Sequence, residues 1–185
     1  MSRQFWQEAL VWSVANGTQI SNSATETIIF PNVTIPANYM QDGRALELIA
    51  MGKFSNVVTT PGTLTIRLRW GGVAGTILAQ SSAISLSATA QTDIMFRIML
   101  EVITRANGAS GSLLAMGMVE LAAQLAASNN QPNMMGSAGG ASTNTPAAVT
   151  VDLTADTALS LTAQFSVSTN PTNLTGMNYL IKSLN

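Results

Sequence analysis

The feature that most restricts what this chain can become is strict alternation of apolar and polar residues over three long runs. In 63–71, Leu64, Ile66, Leu68 and Trp70 fall on one side, and Thr65, Arg67 and Arg69 on the other. In 158–168, Leu159, Leu161, Ala163, Phe165 and Val167 alternate with Ser160, Thr162, Gln164 and Ser166. A period of two puts successive side chains on opposite faces of an extended strand, whereas a helix needs apolar residues every three to four. The run 92–105 differs in kind. Ile94, Phe96, Ile98, Leu100 and Val102 form one face, but the other, with Met95, Arg97, Met99, Glu101, Ile103 and Arg105, is itself amphipathic. That long strand is expected to be covered on both sides.

Weaker strands complete the pattern. They are expected over 25–35 (broken by Pro31), 45–56, 73–80 and 173–184, the last with Met177, Tyr179 and Ile181 on one face. Turn residues separate the runs: Gln41-Asp42-Gly43, Pro61-Gly62, Gly71-Gly72, Asn107-Gly108 and Asn170-Pro171. The stretch 112–125 fits both a strand and one helical face. Its place after the Asn107-Gly108 turn, following a long strand, favours a strand. About eight short antiparallel strands with Gly and Pro turns point to an all-β fold, a two-sheet antiparallel β-sandwich of jelly-roll-like type. An immunoglobulin-like sandwich is the second choice, and the chain lacks its Cys-Trp-Cys pattern.

Two segments stand apart from this pattern. The first, 1–22, reads as an N-terminal arm preceding a domain over 23–185. Phe5, Trp6 and Trp12 place three large aromatics within eight residues, and burying one Phe-sized group is worth about 1.5–3 kcal/mol. These side chains either cover the domain's own core or dock on a neighbour, and Phe5, Ala9 and Trp12 also fit a short helix. The second is an insertion over 126–145, rich in Ser, Asn, Gly and Pro, with Met134 and Met135 at its centre. Two adjacent flexible thioethers in a long loop suit a contact surface. Phe5, Trp6, Trp12, Met134 and Met135 are therefore the expected subunit-contact residues.

Composition decides between chemistry and packing. Charged residues make up 9% of the chain and hydrophobic residues 46%, against about 25% charged in an ordinary domain. A net charge of −1 gives little mutual repulsion, and a near-neutral surface favours association. There is no cysteine and no histidine. Disulfides, thiolate nucleophiles, imidazole bases and Cys or His metal ligands are thereby excluded. No phosphate-binding, dinucleotide-binding or nucleophile-elbow motif is present. The nearest carboxylate pair, Asp152 and Asp156, offers a weak case for a glycan-active enzyme and a stronger one for turn and capping residues. The basic residues are few and scattered, so no nucleic-acid partner is expected. No apolar run approaches the roughly 20 residues of a membrane-spanning helix. The expectation is a protein without catalytic, cofactor-binding or metal-binding residues that acts by packing on other subunits.

A resemblance sharpens this. It is carried by Gly62-Thr-Leu-Thr-Ile-Arg-Leu-Arg-Trp-Gly-Gly, then Ala90-Gln-Thr-Asp-Ile-Met-Phe-Arg, then Thr104-Arg-Ala-Asn-Gly-Ala-Ser-Gly-Ser-Leu-Leu-Ala-Met-Gly. The later Leu153-Thr-Ala-Asp-Thr-Ala-Leu-Ser-Leu-Thr-Ala-Gln-Phe-Ser-Val-Ser and Asn173-Leu-Thr extend it. The order resembles tailed-bacteriophage virion proteins, among them capsid decoration (cement) proteins and head or tail fibre domains with jelly-roll-like folds. It covers roughly 45–185, with Phe165 near a place where such proteins often carry Trp. The resemblance implies a cement protein on the outer surface of the head, bridging copies of the major capsid protein and itself a homotrimer. A head or tail fibre, or receptor-binding, domain is the alternative. Neither implies catalytic residues.

Overall fold

The computed structural model describes residues 7–57, 59–122, 132–137 and 146–184 of the 185-residue chain. In chain order the strands are β1 (Gln7–Trp12), β2 (Ile20–Ser21), β3 (Thr27–Ile28), β4 (Val33–Ile35), β5 (Ala45–Asn56), β6 (Thr63–Trp70), β7 (Thr76–Ser81) and β8 (Ile84–Ser85). They continue as β9 (Gln91–Ala106), β10 (Gly111–Leu121), β11 (Asn133–Gly136), β12 (Val149–Val151), β13 (Thr157–Phe165) and β14 (Asn173–Leu184). The chain is all-β and antiparallel. Hydrogen bonding runs through neighbours in the order β1-β14-β5-β9-β10-β11-β7-β6-β13-β3. One layer is therefore β1-β14-β5-β9-β10, and the facing layer is β7-β6-β13 with β3 and β4. The short β11 bonds to both β10 and β7 and makes the two layers one curled sheet. This is the jelly-roll-like sandwich expected from the alternation.

The core follows directly from that alternation. Leu46, Leu48, Ala50 and Phe54 of β5 and Phe96, Ile98, Leu100 and Val102 of β9 point inward. They meet Leu64, Ile66, Leu68 and Trp70 of β6 and Leu159, Leu161, Ala163 and Phe165 of β13, all buried. The ambiguous stretch resolves as strand. β10 pairs with β9 from Ser112↔Ala106 to Leu121↔Phe96, joined by a turn in which Gly108 has a φ of 94°. Leu113, Ala115, Val119 and Leu121 then fall inside, and the alternative helical face is not used.

The described part of the expected arm belongs to the sheet. Residues 7–12 form a strand rather than a helical turn, pairing with β14 from Gln7↔Leu184 to Trp12↔Leu180. Leu10 and Val11 pack against the core, and Ile20 lies within it. The reason is physical: beyond β5, β14 has a second edge, and pairing with β1 gives partners to the backbone N–H and C=O groups along it. From there the chain crosses to the other layer, where β3 and β4 pair with β13. Phe30 makes this crossing a structural joint. Its ring stacks on Tyr179 of β14 with centroids 4.6 Å apart, while the neighbouring Ile29 N–H donates to the Leu161 carbonyl at 2.8 Å. This crossing also changes the environment of β13. Ser160 and Thr162, expected on an open polar face, are buried beneath it, with Ser160 donating to Asn32 Oδ1 and Thr162 to Glu26.

One glycine is required by close approach between strands. A Cβ on Gly117 of β10 would stand 2.0 Å from the Met99 carbonyl oxygen of β9. Gly117→Ala should therefore push the two strands apart and cost about 1–3 kcal/mol, read as a lowered thermal unfolding midpoint.

Candidate functional site

The outer face of the larger layer carries the feature that calls for a function. In an antiparallel pair, directly opposed residues share a face. The registers read across the layer as Trp12↔Leu180, Leu180↔Ile49, Ile49↔Met99, Met99↔Met118 and Met118↔Met134. Six adjacent strands thus place six apolar side chains in one row. At about 4.8 Å between strands, the row is about 24 Å long. Its ends stand out from the surface, with Trp12 69% and Met134 54% exposed, while the middle members are half-buried.

Charges border the row. On one side lie Lys182, Glu47 and Glu101, each one register step away, and on the other Arg97 and Glu120. Lys182 donates to Glu47 Oε2 at 3.1 Å. Glu47 and Glu101 are directly opposed, a like-charge pairing that is unfavourable. Glu101 is exposed and has no ion-pair partner among the described residues, and the buried Nε of Arg97 has no hydrogen-bond acceptor there. Beside the row the surface opens into an apolar groove of about 360 Å³, lined by Met99, Ile103, Leu114, Met116, Met118 and Met134 with Glu47 and Glu101 at its rim. Thioethers give such a groove an adaptable, polarizable wall suited to irregular partners.

The expected contact residues fall out differently. Trp12 and Met134 both lie on this face, at opposite ends of the row. Met135 points the other way, 2% exposed in the core, because adjacent residues of β11 alternate sides. It cannot touch a partner, and the adjacent thioethers do not act together. Phe5 and Trp6 lie outside the described residues, as does the insertion 126–145 apart from 132–137. Within it, Asn133–Gly136 is a strand rather than loop.

No group of His, Cys, Asp or Glu side chains able to hold a metal occurs among the described residues. Asp152 and Asp156 act as turn residues. Asp152 Oδ1 accepts from the Thr154 backbone at 2.8 Å and from its hydroxyl at 2.6 Å, and both bonds hold its carboxyl below the ordinary value. Asp156 Oδ1 accepts from the Ala37 N–H at 2.8 Å. Arg67 and Arg69 do share a face, and Glu26 joins them: it accepts from Arg67 Nη1 at 3.0 Å and from Arg69 Nη2 at 2.8 Å. This cluster ties the crossing segment to β6 and has the makings of a fastening rather than a reactive site.

No protein-family model matches the chain, and no curated protein does. Among solved structures it is similar to the CBM2 module of the evolved Dit of Lactobacillus casei BL23 phage J-1. The TM-score is 0.38 and the identity 8%, over 99% of this chain and 98% of that one. A likeness at that level transfers no property from one chain to the other.

Proposed function

We propose that this chain is a structural protein of a tailed-phage virion that works by packing the outer face of its larger layer against neighbouring subunits. The observation that carries the reading is the apolar row from Trp12 to Met134 with its adjoining groove. Contiguous exposed apolar surface of this kind marks interaction sites. A charge-poor chain has little else with which to hold a partner in place. Binding of this sort stabilises an assembly by mass action, since the protein favours the assembled form it contacts. The virion setting comes from the sequence resemblance.

Two placements follow from that resemblance. As a head cement protein, the chain would bridge copies of the major capsid protein on the outer surface of the head. As a tail or fibre module, it would present its free edge to a receptor. Trp12 favours the second: an indole so exposed on an edge strand is free to stack on a sugar or an apolar receptor surface. Incubation of the purified chain with expanded heads, with tails and with host cells separates the two. Pelleting with heads supports cement, and pelleting with tails or cells supports the fibre module. Remaining in the supernatant with all three overturns the virion reading.

A further inference from the structure

The outer face of β9 is complementary to itself when read backwards. Centred on Met99, Glu101 and Arg97 lie two residues to either side, Ile103 and Met95 four, and Arg105 and Asp93 six. Each pair is either opposite in charge or apolar on both sides. A two-fold axis along the apolar row, crossing β9 at Met99, sets this strand antiparallel to its copy and brings those pairs together. We propose that this face is a two-fold contact between two copies of the chain. The proposal rests on the packing reading above and names the first partner of that surface.

Three independent features of the face support a second copy as the occupant. The first is charge. Glu101 stands against Glu47 with no ion pair among the described residues, and Arg97, though opposed by Glu120 on β10, makes none there either. The axis sets the guanidinium of each copy against the Glu101 carboxylate of the other, twice. The outermost pair adds least, because Asp93 already holds Lys53 at 2.9 Å.

The second feature is shape. Met95 is 60% exposed and projects from the face. It lies as far from Met99 on one side as Ile103 does on the other, about 13 Å by strand rise. Ile103 lines the groove of about 360 Å³. The axis that pairs the charges therefore seats each Met95 in the other copy's groove, between Ile103, Leu114 and Met116.

The third feature is size. The face extends about 24 Å across strands and about 40 Å along β9 by strand geometry. The long strands β14, β5, β9 and β10 supply most of it, and β1 and β11 extend it only around the row, an extent that approaches the roughly 800 Å² per partner of a standard stable interface. An isologous contact of this kind closes on itself as a dimer.

The test uses the full chain in solution by analytical ultracentrifugation. The unaltered chain should show a monomer–dimer equilibrium. Arg97→Glu alone and Glu101→Arg alone each replace two attractions by two repulsions and should raise the dissociation constant at least about a hundredfold. The double reversal, Arg97→Glu with Glu101→Arg, should restore it to within about tenfold of the original. Met95→Asp should also dissociate the pair. Circular dichroism of each variant confirms folding, and the double reversal keeps the result interpretable if one single variant is unstable. A chain that is monomeric at every soluble concentration overturns the proposal. So does a trimer, or any oligomer indifferent to the single reversals, since another surface then holds it. A dimer that responds to the reversals but never enters a virion would overturn the virion reading and leave the two-fold contact standing.

Discussion

Replacing Phe30 by alanine should lower stability by about 3–5 kcal/mol, the largest effect of a single substitution expected in this chain. Three observations set the size. The ring is 2% exposed, it stacks on the fully buried Tyr179 with planes 10° apart, and it lies on a glycine. A Cβ on Gly176 would stand 2.4 Å from the Phe30 ring, so on that side the ring rests on bare backbone that offers no side chain to fill the space it leaves. Cavity costs are highest where the surroundings cannot collapse. The loss also falls at a joint, because Phe30 reaches β14 in one layer while its neighbours are bonded to β13 in the other. Chemical denaturation of Phe30→Ala should show the drop in midpoint, and Phe30→Leu should recover more than half of it. An alanine variant within about 1 kcal/mol of the original would mean that the crossing is not the joint described.

The second large effect belongs to Glu26. Its carboxylate accepts from Arg67, Arg69 and Thr162, and its side chain is only 14% exposed. Glu26→Gln keeps the size but leaves two neighbouring guanidinium groups without an anion. Hydrogen bonds to charged groups are worth about 1.5–3 kcal/mol, so a loss of about 2–3 kcal/mol is expected. Burial by itself would raise the carboxyl. The bonds from Arg69 and Thr162, with the charges of Arg67 and Arg69, outweigh it and hold the group below its ordinary 4.5. Because the folded value is the lower one, the stabilisation is complete above 4.5 and drains away as pH falls through the folded value. Denaturation at a series of pH values should show the original and Glu26→Gln far apart at neutral pH and converging in acid. A gap that stays constant into acid would remove the carboxylate from its role.

The long strands were legible because their apolar faces obey a period of two, and those faces point inward in β6, β9 and β13. What the pattern could not carry is anything decided by contact at a distance. β2, β3 and β8 have two residues each, and their extended form comes from the strand edge they meet. A register shift between Gly176 and Asn178 breaks the period of β14, so Met177, expected inside with Tyr179 and Ile181, is 47% exposed. Glu26 carried no signal of its role, since its partners lie about 40 residues away or more along the chain. The candidate site was legible in fragments. The amphipathic second face of β9 was plain, and Trp12 and Met134 were two of the five residues expected at a contact. Their alignment in one row depends on five strand registers, which no local pattern encodes.

The four residues of β11 decide how this molecule would bear a load. β9 and β10 are bonded over ten opposed positions, but β11 meets β7 only at Met135↔Ser81 and Gly136↔Gln80. The layers are also held by the core between them and by the Phe30 crossing, so β7–β11 is a short hydrogen-bonded seam rather than their sole tie. Stretched between two anchors, the sandwich should part along the β7–β11 line while each layer keeps its own strands. The seam would then open like a clasp, with the strand pairings within each layer intact.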